Sequence, residues 1–223
     1  MSAYGLAAQR GPSLHGDNTE NKLPSGDFED YDTMIASGWR HEQRAIPGVQ
    51  SVAELHPSPQ QGQYSLRLVA RADSAAAGKE LSPALLSKIP VTVVSPPISV
   101  HAGQVVRISG WVKLPQPVSG SLDGATLHDS LLGKTGAWHI KPSRDWQRLE
   151  VLRVVPESQE FTITVALHGL GELAIDDLQV TAFTPPNEVA DTPPPNESPV
   201  KPARFNPLEA LDLRRLNPLP KRK

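Results

Sequence analysis

The chain of 223 residues contains no cysteine. That absence excludes a disulfide framework, a thiolate metal site and a cysteine nucleophile. Aromatic residues make up only 5%, so few rings are available for stacking. Apolar residues reach 38%, below the roughly 45–50% of an ordinary globular domain, which implies that part of the chain does not pack. No apolar run approaches the roughly 18 residues of a membrane-spanning helix. A dominant charge is missing too: 22 Lys and Arg stand against 24 Asp and Glu, a net of −2, which excludes nucleic-acid binding by bulk charge. Gly-x-Ser-x-Gly, P-loop and Gly-x-Gly-x-x-Gly motifs are absent, and Gly169-Leu170-Gly171 reads as a hairpin signal. His15, His41, His56, His101, His128, His139 and His168 show no His-x-x-x-His or His-x-His spacing. They give no support to a transition-metal site and read as solvated loop or strand positions.

Proline is abundant and unevenly placed. Ten of the 23 prolines lie between Pro185 and Pro220. A stretch so rich in proline and so poor in large apolar residues cannot offset its ordering entropy and reads as an extended linker. The start of the chain, with scattered Gly, Asn and Ser, is equally weak. These shifts predict a flexible N-terminal segment (1–21), a packed domain (22–183), and a Pro-rich linker with a basic tail (184–223). Met1-Ser2-Ala3-Tyr4 lacks the charged and apolar regions of a secretory signal.

Within the packed part the hydrophobic period is two. In 63–71, Tyr64, Leu66, Leu68 and Ala70 share one face. In 104–114, Val106, Ile108, Val112 and Leu114 oppose Arg107, Ser109, Trp111 and Lys113. In 160–168, Phe161, Ile163, Val165 and Leu167 oppose Thr162, Thr164 and Ala166. Such alternation marks half-buried strands. Further strands are expected over 146–155 and 173–183, and over 90–100 with a break at Ser95-Pro96-Pro97. Asp123-Gly124, Lys134-Thr135-Gly136 and His168-Gly169 read as turns. One short helix is expected, over 81–88 with Ser82 as cap and Pro83 at the first position; the tail after Asn206-Pro207 has a helix-start pattern too short to hold alone, and a disordered basic end is favoured there over a docking segment. Many short strands with almost no helix indicate an all-β protein, an antiparallel β-sandwich of jelly-roll type with flexible termini.

Five segments, taken in order, carry a family resemblance. Leu23-Pro24-Ser25-Gly26-Asp27-Phe28-Glu29 with Gly38-Trp39 resembles the opening of carbohydrate-binding modules on bacterial xylanases and cellulases. Gly62-Gln63-Tyr64-Ser65-Leu66-Arg67-Leu68, Val106 to Lys113, Asp145-Trp146-Gln147-Arg148-Leu149 and Ala174-Ile175-Asp176-Asp177-Leu178-Gln179-Val180 resemble that family's later strands. The resemblance implies a galactose-binding-domain-like jelly roll. It also implies a structural calcium, held by Glu29 of a first strand and by Asp176, with backbone oxygens near Gly26 and Gly62. Asp176 is preferred to Asp177 because Asp176, Leu178 and Val180 alternate onto one, inward, face. The alternative is that these acids are solvated edge charges or bond a neighbouring turn.

Trp111 stands on the polar face of its strand beside Arg107, Ser109 and Lys113. An outward ring among basic and hydroxyl groups suits sugar stacking, with Arg67 lining the same face and Trp138, read as a loop residue, at the rim. The competing reading has the stems of Arg107 and Lys113 simply covering the ring. Trp39 and Trp146 are read as packing residues. No catalytic residue is nominated.

The expected function is non-catalytic carbohydrate binding on an exported bacterial protein, outside the cytoplasm, with polysaccharide or other domains of a surface protein as partners. The alternative is a structural or protein-interaction sandwich of a surface assembly without a sugar site.

Overall fold

The computed structural model describes residues 20–73 and 90–185. The terminal segments, the expected helix over 81–88 and the helix-start pattern of the tail lie outside the described residues. The chain divides into two units, Met1–Pro186 and Asn187–Lys223, and the account below concerns the first.

Eleven strands are built: β1 Arg40–Gln43, β2 Val49–His56, β3 Ser65–Ala72, β4 Val91–Val94, β5 Ile98–Val100, β6 Val105–Leu114, β7 Ser119–Asp129, β8 Trp138–Ile140, β9 Ser143–Val154, β10 Gln159–Phe161 and β11 Ile163–Phe183. All pair antiparallel. One sheet, here sheet A, runs β1-β4-β11-β7-β8. Sheet B runs β2-β3-β11-β6-β9. β5 and β10 form a separate pair. The expected antiparallel β-sandwich is the observed fold.

The link between the sheets is β11, whose 21 residues belong to both. Its first part pairs β4 and β7, and its second part pairs β3 and β6. The glycines read as a hairpin therefore sit inside one continuous strand. Gly169 has φ +136, and a Cβ there would lie 2.5 Å from Ser119 O. A strand must bend to change sheets, and glycine permits that bend against a close backbone. Asp123-Gly124 likewise falls within β7, with Gly124 at φ +64 opposite His168.

The core lies between the sheets. Along β6 the burial alternates strictly, with Val106, Ile108 and Val112 at 0% exposure. Beside them in sheet B lie Leu66 and Leu68 of β3 and Leu149 of β9, and the sheet A part of β11 adds Ile163, Val165 and Leu167 to the same core. Burial of this kind stabilises by about 25 cal/mol per Å² of apolar surface. Asp129 of β7 is wholly buried and ties the sheets together, taking Arg153 Nε of β9 at 2.7 Å.

The helix α1, Tyr31–Ala36, was not anticipated. Its signal is the cap: Asp30 Oδ1 accepts from Thr33 N at 2.7 Å, the usual service of an aspartate at a helix start. These hydrogen bonds from Thr33 hold the Asp30 carboxyl below the ordinary carboxylate range. Trp39 follows the helix as a packing residue, 2% exposed, with Nε1 donating to Pro24 O at 2.9 Å and its ring edge-on to Phe28.

Candidate functional site

The outer face of sheet B carries most of the residues singled out in the sequence. The alternation places Trp111 there as expected, half-buried, with Arg107, Ser109 and Lys113. Arg67 joins that face from β3, because Arg67 pairs Ala174 and Ala174 pairs Lys113. Yet these groups are already engaged with one another. Arg67 binds Glu54 through Nε at 2.9 Å and through Nη2, and lies 3.7 Å from Glu172. Arg107 Nη2 donates to Glu150 Oε2 at 3.3 Å, while its Nε, 3.1 Å from Glu150 Oε1, is buried without a hydrogen bond. The Trp111 ring is covered, though by Arg148 at 5.8 Å and not by Arg107. Lys113 lies over Trp146 at 5.9 Å in the same manner. Trp146, read as a packing residue, is thus a partly exposed member of this face.

Trp138 is elsewhere. It lies in strand β8 and not in a loop, pairs the inward Leu127 of β7, and packs on the core. The structure does not bring it to Trp111.

Glu29 and Asp176 converge on one loop, residues 57–64, from two directions. Glu29 belongs to no strand; it lies in extended chain before α1. Its oxygens accept from Gln63 N at 3.0 and 2.9 Å and from Tyr64 N at 3.4 Å. Gly62 is required beneath it: its φ is +71 and any Cβ would collide with Glu29 Oε1. Asp176 Oδ2 accepts from Gln60 N at 2.7 Å and Gln61 N at 2.9 Å, and Oδ1 from Asp177 N at 2.8 Å. Burial raises its carboxyl above the ordinary range, while the three N–H groups pull it back.

The expected phase of Asp176 is corrected by a bulge. Asp176 pairs Trp111 and Gln179 pairs Ser109, so Asp177 and Leu178 together oppose Gly110. Asp177 has φ +47. A Cβ on Gly110 would lie 3.1 Å from Asp177 O, which explains a glycine in mid-strand. Leu178 and Val180 are therefore inward while Asp176 is on the face of Trp111, buried by the 57–64 loop and not by the core.

Calcium takes six to eight oxygens. Here both carboxylates are met by N–H donors, and Gly26 O already accepts from Leu178 N at 2.8 Å. Among the described residues no group of three or more His, Asp or Glu is placed to hold a metal. As arranged, Glu29 and Asp176 form a clasp on amide hydrogens, a donor set that does not fit the ion.

The outer face of sheet A is different in kind. Thr126 and His128 of β7 stand there, because Leu127 between them is inward. Thr126 pairs His139 of β8 and Ala166 of β11, which sets His139 and, two residues beyond Ala166, His168 on the same face. With Asp123, Lys134 and Ala137 they line a cavity of about 110 Å³. Thr126 Oγ1 and His168 Nε2 share a hydrogen bond of 2.8 Å, and His139 Nδ1 lies 3.2 Å from Asp123 O. His128 Nδ1 is buried with no hydrogen-bond partner. Burial holds both His128 and His168 below the ordinary imidazole value. Lys134 pushes each the same way, while Asp129 raises His128 and Asp123 raises His168.

Sequence spacing missed this cluster because its members are 11 and 29 residues apart and meet only through strand pairing. One signal was present: His168 continues the outward phase of Thr162, Thr164 and Ala166. It is not a solvated position, being 6% exposed.

No protein-family model matches the chain, and no curated protein matches it. Solved structures similar to it include a CBM4 carbohydrate-binding module (13% identity, 72% of this chain, 99% of that one, TM-score 0.47). Another is TmCBM61 in complex with β-1,4-galactotriose (20%, 73%, 98%, TM-score 0.44). A third is the enzymatically active domain of bacteriophage CBA120 tailspike protein 4 (13% identity, 73% of this chain, TM-score 0.46), of which this chain spans 21%. Scores of this size leave the sandwich to be argued from its own strand pairing, and the site from its own side chains.

Proposed function

We propose that this chain is a non-catalytic carbohydrate-binding module of an exported bacterial protein, and that its saccharide site is the histidine-lined cavity of sheet A. The observation that carries this reading is a cavity on a rigid sheet in which, among the described residues, Lys134 has no ion pair and His128 Nδ1 no hydrogen bond. Imidazole and hydroxyl groups both donate and accept, as sugar hydroxyls do. No hydrogen bond fixes the His128 ring, so it can turn a nitrogen to a ligand. The five segments that resemble carbohydrate-binding modules agree with this reading, independently of the cavity. Among the described residues Asp123 is the one carboxylate lining the cavity, whereas glycoside hydrolysis ordinarily uses a pair. The sequence-derived site on sheet B gives way because its polar groups are paired with each other.

The test is a glycan array with the whole chain and three variants. His139→Ala and Lys134→Ala alter exposed side chains and are expected to lose glycan binding with the melting temperature unchanged. Trp111→Ala is expected to keep it. Binding lost in Trp111→Ala and kept in the other two would return the site to sheet B, and an array with no bound glycan would leave the structural-module alternative.

A further inference from the structure

We infer that the saccharide taken by the sheet A cavity is acidic, a sugar carrying a carboxylate, and that it binds more tightly as the pH falls. This rests on the reading of the cavity as a saccharide site. The lining gathers groups that are cationic or become so on protonation. Lys134 contributes an ammonium that has no ion-pair partner among the described residues. His128, His139 and His168 add three imidazoles, and among the described residues Asp123 is the single carboxylate against them. Asp123 is exposed at the loop side. Asp129, next to His128 in sequence, faces inward and is neutralised by Arg153. Asp129 raises His128 and Asp123 raises His168, but burial outweighs each. Among the described residues the lining has no phenyl, phenol or indole ring, the apolar platform on which a neutral sugar face would stack.

Proton linkage supplies the pH dependence. Burial holds His128 and His168 below the ordinary imidazole value, Lys134 lowers both, and His128 and His139 lower His168 further. A carboxylate in the cavity reverses that balance, since an opposite charge nearby favours the protonated ring. Binding therefore takes up a proton, and affinity rises as protons become available. Lys134 supplies the rest of the attraction through its ammonium. The selectivity so produced is a donor set matched to a planar anion, charge-assisted and stronger than neutral hydrogen bonds.

The experiment is calorimetric titration of the full chain at about pH 8 and about pH 5.5. The probes are oligosaccharides of galacturonate, glucuronate, mannuronate and guluronate, each beside its carboxyl-reduced neutral counterpart. At least one uronate is expected to bind, about tenfold more tightly at the lower pH, the change expected from uptake of about one proton across a unit of pH. Its reduced counterpart is expected to bind at least about tenfold less tightly at the lower pH and to show no pH slope. Lys134→Ala should weaken the uronate at both pH values. His128→Gln should flatten the pH dependence, because glutamine bonds but does not protonate. Equal or tighter binding of the reduced sugars overturns the acidic preference and leaves the saccharide site standing. A flat profile in the parent overturns the histidine linkage. Binding of neither form, with no neutral glycan bound on the array, overturns both.

Discussion

The two outer faces of the sandwich dispose of their polar side chains in opposite ways. On sheet B, Arg67, Arg107, Arg148 and Lys113 are committed to Glu54, Glu172, Glu150 and the faces of Trp111 and Trp146. On sheet A, Lys134 has no ion pair among the described residues and His128 Nδ1 no hydrogen bond. A face whose groups are satisfied by neighbours gains stability and has little left to offer a ligand. A concave face with groups left over is the better candidate for recognition. The contrast also shows why an outward tryptophan in a strand is weak evidence for a sugar platform. Alternation tells which way a ring points and nothing of what lies over it.

The largest effect expected from breaking this contrast falls at the clasp beneath sheet B. Asp176→Ala removes the acceptor of three N–H groups, two of them on the 57–64 loop, and should cost about 3 kcal/mol of stability, since stranded polar groups each carry a penalty of about 1–3 kcal/mol. Denaturant unfolding measures it. Because the carboxylates meet N–H donors, a chelator should leave the melting temperature of the parent unchanged; a drop with chelator, restored by calcium, would instead establish the ion. Gly62→Ala should destabilise comparably, from positive φ and collision with Glu29. Trp111→Ala comes next. The ring is half-buried under Arg148, so the loss should be about 2 kcal/mol, between a surface change and the roughly 3–5 kcal/mol of a core aromatic, with glycan binding retained.

The smallest effect concerns pH. His128 and His168 have folded values held below the unfolded imidazole value of about 6.5. The unfolded chain therefore binds more protons below that point. Their contribution to stability is fully present above about pH 6.5 and is lost as pH falls through the folded values. Melting curves between about pH 7 and pH 5 should fall in the parent and fall less in His128→Gln. A variant curve parallel to the parent's would show that this ring does not titrate as described. On sheet B, Lys113→Ala should leave that slope untouched.

Much of the fold was legible because strand alternation is a local property. The phase of β6, with Val106, Ile108 and Val112 inward and Trp111 outward, is reproduced residue by residue. What failed was whatever depends on long-range pairing. Gly169 looks like a turn until Ser119 is seen against it. Asp176 falls out of phase with Val180 only because Gly110, on another strand, makes room for a bulge. β7 went unrecognised because Asp123-Gly124 inside it read as a turn, and β8 because Lys134-Thr135-Gly136 just before it read as one. The histidine cavity is the same failure at the site: three residues with no sequence relationship become neighbours through the β7–β8 and β7–β11 registers. Trp138, by contrast, was misplaced by a short-range cue, the Gly136-Ala137 before it.

The most direct test of which face recognises the ligand is a nuclear magnetic resonance titration of the whole chain with xylan, galactan, glucan and uronate oligosaccharides. The imidazole signals of His128, His139 and His168 are followed beside the indole N–H signals of Trp111 and Trp146. The account predicts that the bound sugar moves the three imidazole sets and leaves the two indoles in place. Movement of Trp111 and Trp146 with unmoved imidazoles would contradict it and put the site on sheet B.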